Sequence, residues 1–275
     1  MNILLEPFQY DFFVRALFMG ALMGVVCALL GIFVIMRREA LMSHALANTA
    51  FLGIAMGLLL GINLHWSMFA LTLISAVVIS YLQQRRSLPE DSLLEFIAQL
   101  TFAFAVICIS LLQGYRVDLF QYLFGDILGV SSSDVWIQAP ILIILLLIFL
   151  ALKRQFLKLT LSRELAVSQK VPIFFLNTLF LMLVAIVVAI GMKVIGVILI
   201  SAFLVLPANT SRILSSNFKS MQIGAVIVGL LGSTLGLFLS YYFNIPSGAS
   251  IVLTLSILLI TAFFIKIVRE SAVGK

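Results

Sequence analysis

A few polar side chains interrupt long apolar stretches of this chain, and they are its candidates for chemistry. His44 and Asn48, in MSHALANTAFLG, are four residues apart and so share one face of a helix. Gln99 and Asp126 lie further along, the latter in YLFGDILG, and Lys193 sits beside Gly191. Charged groups inside a bilayer are costly and usually face a pathway or a partner. A histidine there takes up a proton or a metal ion near neutral pH. One imidazole beside one amide is by itself a poor metal site, because Asn is a weak ligand for zinc-like ions. The pair therefore keeps two readings, a pathway element or a helix-to-helix hydrogen bond near the membrane surface. Asp126 has a stronger functional claim, because it sits in a short element bounded by glycines. Its alternative is a cap, or an ion pair with Arg116 or Lys193. His65 reads as a loop histidine. Met19 and Met23, and the cysteines Cys27 and Cys108, read as packing residues.

The setting of these residues follows from composition. Of 275 residues, 63% are hydrophobic and 10% charged, and mean hydropathy is +1.23. A soluble domain is about 45–50% apolar and about 25% charged. No compact soluble fold hides this much apolar surface, which excludes a cytosolic enzyme, a nucleic-acid-binding domain and a disordered chain. The net charge of +6 then reflects basic cytoplasmic loops. The sequence contains no HExxH, GxSxG, CxxC or GxxxxGK[ST] motif. An intramembrane enzyme is disfavoured, and any ATP hydrolysis must belong to another chain.

About 20 apolar residues span a bilayer. Nine spans are predicted: 12–36, 40–61, 64–82, 93–112, 135–152, 172–190, 194–213, 221–242 and 250–266. The expected fold is all-α and polytopic, a single membrane domain over residues 1–275. The first span is expected to be a retained helix, since no basic region precedes it. The stretch 119–130 is too short to cross and reads as a re-entrant helix. Of the 17 Lys and Arg residues, only Arg15, Arg116 and Lys193 fall on one side. This bias puts the N-terminus outside and the C-terminus in the cytoplasm.

The longest cytoplasmic connection, 153–171, holds a possible short helix in LSRELAVSQ. Ser162 is a candidate N-cap and Glu164 lies near the positive end of the dipole. It could anchor at the interface or dock a partner. Gly20/Gly24, Gly53/Gly57/Gly61 and Gly232/Gly236, at four-residue spacing, predict close helix packing. Pro207 removes a backbone hydrogen bond near the end of its span, and Asn209–Arg212 reads as the helix emerging into the cytoplasm.

Three stretches together resemble the membrane permease subunit of bacterial zinc/manganese-type ABC importers, closest to its zinc-uptake branch. They are VIMRREALMSHALANTAFLGIAMG (34–57), VDLFQYLFGDILGV (117–130), and GMKVIGVILISAFLVLPANTSR (191–212) followed by IPSGASIVL (245–253). The resemblance covers about residues 12–266. It implies a type II ABC importer-like fold in the bacterial inner membrane and a homodimer with the path at its interface. It also implies two cytoplasmic ATPases and an extracytoplasmic metal-binding protein, with zinc as substrate and no permanently bound cofactor. The family's docking helix would fall on 162–171, through Ser162, Arg163, Glu164, Leu165, Ala166 and Val167.

Departures from the family pattern concern the membrane ligands. The family usually carries Asp and then His where this chain has His44 and Asn48, and often His where it has Gln99. Asp126 matches. His44, Asn48, Gln99 and Asp126 are the expected path residues. Manganese or iron is the alternative cargo. A gradient-driven secondary transporter is the rival mechanism, although no internal repeat is evident.

Overall fold

Apolar side chains on every side of a helix need protein or lipid on every side, and the architecture divides its helices accordingly. The computed structural model describes residues 3–85, 89–112, 125, 127–161 and 172–272. Among them the helices are α1 (Asp11–Met36), α2 (Ala40–Leu60), α3 (Leu64–Arg85), α4 (Glu90–Ser110), α5 (Ser132–Leu161), α6 (Ile173–Ile195), α7 (Val197–Leu214), α8 (Phe218–Phe243) and α9 (Ser247–Ala272). Eight are long and apolar enough to cross a membrane; α7 is the shorter one.

The centre is built from α1, α2, α6 and α7. In α1, 72% of the apolar window is buried, against 22% in α9 and 28% in α4 and α5. Phe33 anchors the core, meeting Phe149 of α5 edge-on at 5.2 Å and Phe180 of α6 at 6.3 Å. The outer helices turn large apolar side chains outward, such as Phe104 on α4 and Phe264 on α9. In a bilayer those faces meet acyl chains or another protein surface.

The glycine spacing does what it predicts at most positions. A Cβ on Gly24 would lie 2.7 Å from the Gly229 carbonyl oxygen, and one on Gly229 would lie 2.5 Å from that of Gly24. Only glycine lets the backbones of α1 and α8 approach this closely. Gly61 differs: nothing lies near it, and it ends α2 at φ +66°, its N–H donating to Gly57 O. That is a left-handed C-terminal cap, which glycine adopts without strain.

Several boundaries correct the sequence reading. The span expected to end at 152 continues as α5 to Leu161, carrying Lys153, Arg154 and Lys158 on the helix. Its 30 residues run about 45 Å at 1.5 Å per residue, more than the roughly 30 Å apolar core of a bilayer. The break expected between the spans 172–190 and 194–213 falls at Gly196, φ +100°. Asn209–Arg212 does not leave the helix: α7 runs on to Leu214, and Ser211 Oγ donates to Met221 O at 2.7 Å. His65 is in the first turn of α3, where Asn63 Oδ1 accepts its backbone N–H. Of the stretch read as re-entrant, the described part is Gly125, a 3-10 turn at Ile127–Gly129 that packs on α1, and the buried Val130; the rest lies outside the described residues.

Candidate functional site

α2 and α4 pack on each other more extensively than any other pair of helices described. Asn48 is buried at this contact, 5% exposed. Its Nδ2 donates to the Ala98 carbonyl of α4 at 3.2 Å and lies 3.3 Å from His44 Nε2. The Ala98 oxygen can only accept, so it fixes which end of the amide carries nitrogen. In that orientation Asn48 Nδ2 has a second hydrogen to offer His44 Nε2. The helix-to-helix bond expected as one reading of the pair is present. It also orients the imidazole, as outer partners orient metal-binding histidines.

Gln99, next to Ala98, points outward and is exposed. Its Nε2 donates to Glu95 Oε1 at 2.7 Å. Glu95 does not stand out in the sequence, because it lies near the start of its span. Its signal was the four-residue step to Gln99, the same step that separates His44 from Asn48. Glu95 is five residues into α4 and His44 four residues into α2. Both connections, α1–α2 and α3–α4, lie at the same end of the bundle. Imidazole and carboxylate thus lie about 6–8 Å along their helices from that end. Among the described residues no group of three or more His, Cys, Asp or Glu is close enough to hold a metal ion. One chain offers one imidazole, one carboxylate and two amides. Asp126 and the segment Ser162–Val167 lie outside the described residues.

A second polar cluster sits at the start of α2. Arg37 Nε donates to Thr160 Oγ1 at 3.2 Å and Nη1 to Asn177 Oδ1 at 2.9 Å. Its guanidinium lies 4.2 Å over the Phe180 ring. Glu39 is buried, 6% exposed. Burial pushes its carboxyl up to about 7, against the opposing charge of Arg37. Arg37, Glu39, Gln83, Glu90, Thr160 and Asn177 line a cavity of about 260 Å³. From the sequence alone, Arg37 and Arg38 mark no more than a basic helix end.

At the opposite end Lys193 pairs with Asp134 at 2.5 Å. The partner of Lys193 is thus Asp134, a residue not singled out from sequence. With His65, Trp66 and Gln138 they border a mostly apolar cavity of about 410 Å³.

Comparison with known proteins gives the family of the chain. A manganese transport system membrane protein, MntC of Halalkalibacterium halodurans, is 29% identical over 93% of this chain and 88% of its own length. The high-affinity zinc uptake system membrane protein ZnuB of Haemophilus influenzae is 31% identical over 93% of this chain and 98% of its own. Among solved structures, PsaBC from Streptococcus pneumoniae in complex with Fab superposes with a TM-score of 0.82 at 30% identity. That match covers 94% of this chain and 92% of the other. The ABC 3 transport family matches residues 9–266; the chain belongs to that family, as a membrane-embedded permease of a metal-type ABC importer and not an enzyme.

Proposed function

We propose that this permease imports a divalent transition metal, zinc in the first place, along a path lined by the α2–α4 face. The observation that carries the reading is the Glu95–Gln99 pair, half-buried and exposed respectively, on the membrane helix that packs against the one bearing His44 and Asn48. Left against lipid, a carboxylate at this position is costly. A second copy of the chain across a two-fold axis would cover it and double the donor set to two imidazoles and two carboxylates. Nitrogen and oxygen donors of this kind suit zinc or manganese. The relatives above carry both names, and zinc is retained for the family branch that the sequence resembles most. Asp126 is assigned to the same path.

The partners follow from the family. An extracytoplasmic binding protein delivers the ion, and two ATPase subunits dock at 162–171, through Ser162–Val167. ATP binding biases the helices between outward-open and inward-open arrangements. The basic end of the bundle faces the cytoplasm, which puts the N-terminus outside. Ligands this sparse release their ion readily, and transport needs release as much as capture.

The test is ATP-dependent uptake into vesicles carrying permease, ATPase and binding protein, with zinc, manganese and iron compared. Zinc uptake should fall at least tenfold in Glu95→Gln and His44→Ala. Wild-type uptake in both variants would overturn the path assignment. Preference for manganese would correct the cargo and leave the path standing.

A further inference from the structure

The connection between α1 and α2 is three residues long, Arg37–Glu39, with Arg38 in the left-handed region at φ +61°. Such a short link cannot absorb much motion, so a displacement of Arg37 shifts the first turn of α2 and, one turn on, His44.

Arg37 is bonded in two directions. Thr160, its partner on α5, stands two residues before the segment 162–171. Asn177, its partner on α6, stands six residues after that segment. Asn177 Nδ2 in turn donates to Gln83 Oε1 of α3 at 3.2 Å. Gln83 Nε2 reaches Glu39 Oε1 at 3.5 Å, the long limit of a hydrogen bond. The bonds therefore run from both roots of the segment, through one guanidinium, to the start of α2.

This knot is not saturated. Among the described residues Arg37 Nη2 and Glu39 Oε2 have no hydrogen-bond partner, and both residues line the 260 Å³ cavity. Free donor and acceptor capacity beside open space lets the same side chains take a second set of partners when the helices shift. Packed elements with two discrete arrangements are what carry movement between distant sites.

We propose that Arg37 is the positioning residue that carries movement of the ATPase-docking segment to α2 and its His44–Asn48 pair. This rests on the docking reading of 162–171 given above. Lys cannot replace it: a single ammonium lacks the planar fork that reaches Thr160 and Asn177 at once.

The experiment uses the complete transporter in vesicles. It reads ATPase co-purification, thermal stability and zinc taken up per ATP hydrolysed. Arg37→Lys and Asn177→Leu should keep the ATPase bound and the melting temperature near wild type, while uptake per ATP falls at least tenfold. Thr160→Val, which removes one contact, should give a smaller fall and serves if the others fail to fold. Uptake per ATP at the wild-type level in Arg37→Lys overturns the relay and leaves docking intact. Uptake lost only in proportion to lost stability also overturns it, since Arg37 would then be structural. Replacing Ser162–Val167 should release the ATPase; an ATPase that stays bound overturns the docking reading and the relay with it.

Discussion

Glu39→Gln should flatten the pH dependence of stability near neutrality. Glu39 stands immediately before α2 with 6% of its surface exposed. Burial raises its carboxyl from 4.5 to about 7, with Arg37 opposing the rise and Glu90 adding to it. The folded chain thus holds this proton more tightly than the unfolded chain does. The resulting stabilisation is fully present below 4.5 and is lost as pH rises through about 7. At about 1.4 kcal/mol per pH unit the whole change is roughly 3 kcal/mol. For a chain of this size that is a fall in Tm on the order of 5 °C or more. Gln keeps the shape and the hydrogen-bonding ends but has no proton to lose. Thermal unfolding of purified permease in detergent, from pH 4.5 to 8, compares the two. The wild-type Tm should drop relative to the variant across that window. Parallel curves would refute the reasoning, because they would mean that Glu39 is solvated or paired in the folded protein.

Three further outcomes follow from the packing and the donor geometry. Gly24→Ala, whose new Cβ would sit 2.7 Å from Gly229 O, should cost about 1–3 kcal/mol by overpacking, read as a lower Tm. Gly61→Ala has open space but φ +66° and should cost about 1 kcal/mol through strain alone; the reverse ranking would refute the close approach of α1 and α8. A membrane-permeable maleimide should label Cys108, which is half-buried, and spare the buried Cys27, as read by mass spectrometry of the intact protein. Asn48→His should bind zinc more tightly and release it more slowly, since it adds an imidazole one turn from His44 and removes the bond to Ala98 O; faster uptake with unchanged affinity would count against Asn48 as a path element.

Hydropathy made the membrane class, the all-helical fold and the run of helices legible, because burying a backbone in lipid leaves few alternatives to helices. Even α1, 72% buried within the protein over its apolar window, reads as a span, since protein and lipid impose the same apolarity. Helix ends were less legible. Lys153–Leu161 is too polar for the bilayer yet continues α5, because a helix needs no lipid to propagate. The four-residue glycine pattern identified close packing, but only tertiary structure chose the partners, Gly24 against Gly229. The same pattern did not separate Gly61, a cap, from its packed neighbours.

At the site, sequence alone determined that His44 and Asn48 share a face and that intramembrane polar residues are few. It could not determine what they face. That α4 lies against α2, so that Asn48 bonds Ala98 and Glu95 stands level with His44, comes from contacts between residues some 50 positions apart. Periodicity within one helix carries no information about such contacts. Arg37 shows the same limit more sharply. Its position after an apolar run marks a basic helix end and helps to orient the chain. Its bonds to Thr160 and Asn177, 123 and 140 residues away, exist only because folding brings three helix ends to one cavity.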